Sequence, residues 1–143
     1  MPDYLKRFAQ KEIEFVDYYN SQDSYWKQIY KNFTCSFATS GEKITFYRNN
    51  EFLTTDNQVF FALCHEIGHN FDKQLSQTTT SYKEWEDIIN QDGGNRVSKY
   101  AENHIREDFA DSVALYVTNL EDFKKDFPNR FNFMEKWLKG GMI

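Results

Sequence analysis

The sequence predicts an α+β domain in which helices flank a small antiparallel sheet. Three observations predict it. Apolar residues recur at helical spacing over most of the chain, whereas the stretch 33–48 switches to strict alternation. No repeat, low-complexity tract or linker interrupts the 143 residues, so 1–143 reads as a single domain with one core.

Taken in order, Leu5, Phe8, Ala9, Ile13 and Val16 recur at helical spacing, which predicts an amphipathic helix over 3–19. Trp26, Ile29, Tyr30 and Phe33 suggest a second, shorter one. Phe33, Cys35 and Phe37 then alternate with polar residues, as do Ile44 and Phe46. With "SGE" between them, 33–48 reads as a β-hairpin with a free edge, and 51–54 is a candidate third strand. Thr55 followed by Gln58 forms a capping box that starts a helix. Ser81 and Glu84 repeat the device before Trp85, Ile88 and Ile89, and "DGG" at 92–94 ends that helix. Ile105, Phe109, Val113, Tyr116 and Val117 put a long helix over 103–119. A last one over 129–139 presents Phe131, Met134, Trp137 and Leu138 before Gly140.

Composition narrows the function. Charged residues at 27% and hydrophobic residues at 40% describe a globular chain, and its 14 Phe and 9 Tyr allow a large core for its length. The net charge is −5 and the basic residues form no stripe, which disfavours nucleic acid as a partner. No run of about 18 apolar residues is present to span a membrane. The N-terminus has no signal-peptide pattern, so the expected location is the cytoplasm, or export by a route the chain does not encode. Two cysteines, Cys35 and Cys64, are too few for a disulfide framework. The sequence sets no oligomeric state.

The chemistry is concentrated in "FFALCHEIGHNFD", residues 60–72. On a helix, His65 and His69 lie about 40° apart around the axis and about 6 Å apart along it, so both imidazoles can reach one metal ion. Zinc suits such ligands, and a catalytic site adds one more protein ligand while leaving a position open. Glu66 lies about 100° around from His65, beside the ion, where it can exchange a proton with an attacking water. Gly68 costs about 1 kcal/mol in a helix interior relative to Ala, which predicts another element packed closely over it.

The third ligand must come from elsewhere. Asp72 and Leu75 stand where the extended HExxHxxGxxH pattern requires Gly and His, so that arrangement is excluded. "HIREDFADSVALYV" places Glu107 and Asp111 on one face of a helix, opposite its apolar stripe. Glu107 can ligate zinc while Asp111 takes the free N–H of a ligating imidazole. Solvated helix charges are the ordinary reading of both residues. Asp108, towards the apolar flank, and His104, one turn earlier, remain alternatives for the third ligand.

HEIGH with Asp72, followed by "YAENHIREDFADSVALYV", resembles the zinc-peptidase domain shared by anthrax lethal factor and the Pro-Pro endopeptidases. These are gluzincins, with a zincin-like fold and a glutamate ligand on a helix downstream of HExxH. Their Glu-x-Phe-Ala-Glu/Asp pattern is matched by Glu107, Phe109, Ala110 and Asp111. The resemblance covers about 55–120 well; 1–54 match no signature. It implies Zn2+ on His65, His69 and Glu107, Glu66 as general base and acid, and Asp111 behind an imidazole. It also implies that Tyr100, seven residues before Glu107, stabilises the oxyanion; from the residues alone, Tyr100 is one of nine tyrosines.

The expected activity is hydrolysis of a peptide or protein substrate by a zinc endopeptidase, with a toxin or effector protease as one variant. An intracellular repressor-cleaving metallopeptidase of a mobile element is the alternative within the same chemistry. A non-catalytic zinc-folded module is the alternative outside it. Such a module needs a fourth closed ligand, and Cys64 points about 100° away from His65.

Overall fold

The computed structural model describes residues 2–6, 12–15, 37–40, 43–46, 56–78 and 82–140. A four-residue helix, Asp3–Lys6 (α1), precedes three four-residue strands, Glu12–Phe15 (β1), Phe37–Ser40 (β2) and Lys43–Phe46 (β3). The remainder is helical: Asp56–Thr78 (α2), Tyr82–Gln91 (α3), the 3-10 helix Tyr100–Asn103, Ile105–Thr118 (α4), Leu120–Asp126 (α5) and Pro128–Met134 (α6), which runs into a π-turn at Glu135–Lys139.

Packing follows the apolar stripes. Along α2, the fully buried Ile67, Phe71 and Leu75 face α4, whose Phe109 and Val113 are equally buried. Phe109 is the hub: its ring centroid lies 4.7 Å from that of Trp85, 5.6 Å from Phe71 and 5.9 Å from Phe133. Edge-on rings at these separations contribute beyond their buried area. Gly68 sits where α2 meets α4. A Cβ there would lie 3.0 Å from Ala110 Cα and 3.1 Å from Val113 Cβ, so the expected close approach is made by the backbone of α4.

A buried charge cluster fixes the rotation of α4. Asp108 and Arg130 are both fully buried. Asp108 accepts hydrogen bonds from Trp85 Nε1 (2.9 Å), the Val97 amide (3.0 Å) and Arg130 Nε (3.1 Å). Arg130 also donates to Asp92 Oδ2 (3.2 Å) and to the Asn95 carbonyl (2.7 Å). One guanidinium thus joins α6, α4 and the turn after α3, and every polar atom it confronts has a partner. The turn itself opens with Gly93 and Gly94 at φ 104° and 84°, as "DGG" predicts.

The expected class is overturned. An α+β, zincin-like domain with a small antiparallel sheet does not describe this chain: the described residues are overwhelmingly helical. The short strands pair in the order β1-β3-β2, with β1 parallel and β2 antiparallel to β3. The helix expected over 3–19 is also corrected, because Glu12–Phe15 is a strand. Its "EIEF" alternates charged and apolar residues, a period of two that the helical stripe through Ile13 obscures. The helix around 26–33 and the strand at 51–54 fall outside the described residues. The sequence reading passes over α5, whose single buried anchor, Phe123, leaves no stripe to detect. The last helix, expected over 129–139, runs as Pro128–Met134 and then widens to a π-turn at Glu135–Lys139; the Glu135 carboxylate accepts the Tyr116 hydroxyl. No described helix is long and apolar enough to cross a membrane.

Gly68→Ala should forfeit the gain of about 1 kcal/mol that its helix propensity promises and instead destabilise by about 1–3 kcal/mol through overpacking, read as the midpoint shift in denaturant unfolding. Arg130→Met strands two buried carboxylates, and the same measurement should show a loss of about 3–5 kcal/mol.

Candidate metal centre

Helical spacing brings the chemistry together from both sides of the α2–α4 contact. His65 and His69 flank Gly68 on α2, and Glu107 and Asp111 flank Ala110 on α4. Their tips meet. His65 Nε2 lies 3.0 Å from Glu107 Oε2, His69 Nε2 lies 3.3 Å from the same oxygen, and the two Nε2 atoms are 3.1 Å apart. Two ligands on a tetrahedral zinc, each about 2.0–2.1 Å from the ion, are about 3.3 Å apart. The triangle fits such an ion with little adjustment.

Hydrogen bonding orients the triangle. Asp111 Oδ1 sits 2.6 Å from His65 Nδ1 and accepts its N–H, which leaves Nε2 turned towards Glu107 and His69. Glu107 Oε2 is buried and accepts no hydrogen bond despite its two imidazole neighbours. A cation at the centre would satisfy all three atoms. Burial pushes the Glu107 carboxyl up, but His65 and His69 outweigh it and hold the group well below the usual carboxylate range. Burial lowers the basicity of His65, while Asp111 and Glu107 raise it by more, to well above the ordinary imidazole value. Both shifts express the mutual attraction of the imidazoles and the carboxylates packed against them.

Glu66 is buried one residue from His65. One of its carboxylate oxygens and a ring nitrogen of each histidine lie within 4.8 Å of one another. Tyr100 begins the 3-10 helix, with its ring edge-on to His65 at 5.9 Å between centroids. The structure therefore gathers His65, Glu66, His69, Tyr100, Glu107 and Asp111 around one point.

The two alternative ligands are elsewhere. Asp108 faces the core and Arg130. His104 is the N-cap of α4, where its Nδ1 accepts the Arg106 amide hydrogen at 3.1 Å; burial and Arg106 depress its pKa. Asp72 accepts the Tyr82 hydroxyl at 3.0 Å. Cys64 is fully buried in the core, and burial pushes its thiol up to about 12, so it offers no fourth ligand.

Ser98 went unnoticed in the sequence. Its hydroxyl donates to Asp111 Oδ2 at 2.6 Å, completing the carboxylate whose other oxygen holds His65. A serine in a polar loop 13 residues from its partner carries no periodic or motif signal.

Residues 3–136 match the model of a family described as "Putative zinc-binding metallo-peptidase". The chain belongs to that family. No curated protein and no solved structure matches it.

Zinc titration followed by chelator competition should give one ion per chain. Glu107→Ala should weaken binding by at least about 10-fold, since it removes one of the three converging atoms.

Proposed function

We propose that the chain is a single-domain zinc endopeptidase of the gluzincin type, with His65, His69 and Glu107 holding the metal. One observation carries the reading: three donor atoms, two from α2 and one from α4, converge to within 3.0–3.3 Å. Glu66 is the remaining potential donor of the cluster, with one carboxylate oxygen and a ring nitrogen of each histidine within 4.8 Å of one another, and in this reading it works as general base and acid while the fourth position stays open.

When bound, zinc would supply a Lewis acid that polarises the scissile carbonyl and acidifies a coordinated water. The chain's own residues do the rest. The Glu66 carboxylate accepts a proton from the attacking water and later delivers it to the departing amine nitrogen. Asp111 holds His65 through Nδ1, fixing the tautomer and the direction of Nε2. The Tyr100 hydroxyl donates to the carbonyl oxygen as negative charge develops there, a contribution of a few kcal/mol by analogy with single oxyanion-hole donors. Burial of Glu66, Glu107 and Asp111 strengthens each interaction by keeping water away.

A diverse peptide pool incubated with the zinc-loaded protein and read by mass spectrometry tests the reading. Cuts are expected from the wild type and not from Glu66→Ala, which should retain zinc. The residues around the cuts would define the preferred substrate. An absence of cuts by zinc-loaded wild type would count against a general peptidase, and cuts that persist in Glu66→Ala would remove Glu66 from its role.

A further inference from the structure

The Ser98 hydroxyl makes two bonds of opposite sense. It donates to Asp111 Oδ2 at 2.6 Å, and its oxygen accepts the Ala101 amide hydrogen at 3.0 Å. Between Ser98 and Ala101 in sequence stands Tyr100, whose ring is edge-on to His65. His65 is in turn bonded to the other oxygen of Asp111. The contacts close a loop from His65 through Asp111 and Ser98 to the Ala101 amide, and back to His65 through the ring of the preceding residue, Tyr100.

We propose that Ser98 is a positioning residue that ties the turn bearing Tyr100 to the carboxylate behind His65, so that phenol and imidazole keep one fixed relation. The inference deepens the peptidase reading and rests on it. A hydroxyl that only capped the 3-10 helix would need its lone pair for the Ala101 amide and no donor contact to Asp111. The donor contact is the shorter of the two, as expected for a bond to a carboxylate. Other bonds hold the same turn: Asn103 Nδ2 donates to the Tyr100 carbonyl at 2.9 Å and Arg96 Nη1 to the Ala101 carbonyl at 3.0 Å. Loss of Ser98 would therefore loosen the turn without unfolding it.

The test compares Ser98→Ala, Ser98→Thr, Tyr100→Phe and the Ser98→Ala/Tyr100→Phe double variant, each loaded with zinc. Turnover and KM are measured on a peptide the wild type cuts, together with the zinc dissociation constant and amide hydrogen exchange across 98–103. Ser98→Ala is expected to lower kcat by about 10- to 100-fold, with KM and zinc affinity within about threefold of wild type and faster exchange at Ala101. Threonine should restore both kcat and protection. The double variant should be no slower than Tyr100→Phe alone, because both changes act on one device. Unchanged kcat in Ser98→Ala, or losses that multiply in the double variant, would overturn the proposal. A loss explained wholly by weaker zinc binding would overturn it too, since Ser98 would then serve His65 alone. If wild type cuts no peptide, the peptidase reading fails, and unchanged exchange at Ala101 would separately remove the tether.

Discussion

The packing of α2 against α4 across Gly68 is the constraint on which the rest of the molecule depends. The three converging atoms stand on these two helices, so the distance between the helix axes sets the size of the triangle they form. Gly68 lies between His65 and His69, and Ala110 lies between Glu107 and Asp111. Each pair is four apart and flanks the point of contact. The smallest residues stand at the crossing, and the chemistry lies on either side of it. A bulkier contact would spread a triangle whose sides are now 3.0–3.3 Å.

Bringing the helices together buries an unusual amount of charge. Glu66, Glu107, Asp108 and Asp111 are all at most 5% exposed. Each needs compensation, because an unpaired buried carboxylate costs several kcal/mol. Asp108 is answered by Arg130 and Trp85, and Asp111 by His65 and Ser98. Glu107 differs in its partners: its Oε2 faces the imidazole nitrogens of His65 and His69, and Arg106 Nε stands 3.9 Å from its Oε1. Adjacent residues, Glu107 and Asp108, thus turn to different surroundings, one to the two histidines and the other to Arg130.

Helical order around the site was largely legible in sequence, because stripes such as Ile105, Phe109, Val113 and Tyr116 report a local periodicity that tertiary packing reinforces. The identity of the two-histidine helix followed from a spacing of four, and Glu107 and Asp111 from the same rule applied to α4. Periodicity misled where two periods overlap. Glu12–Phe15 continues a helical stripe yet alternates strictly, and pairing with β3 decided in favour of the strand. The class assignment failed for a related reason: alternation can indicate a strand, but not how much of the core a sheet will supply.

By itself the sequence determined which side chains could share a helix face, since that depends only on the 3.6-residue turn. His65 with His69, Glu107 with Asp111, and the need for a close neighbour over Gly68 all follow from it. Only the tertiary structure decided which faces meet. It turned Asp108 into the core against Arg130, made His104 a helix cap, and joined Ser98 to a carboxylate on a different element. These choices depend on contacts between residues far apart in sequence, whose geometry is set by packing and charge compensation and leaves no local pattern in the chain.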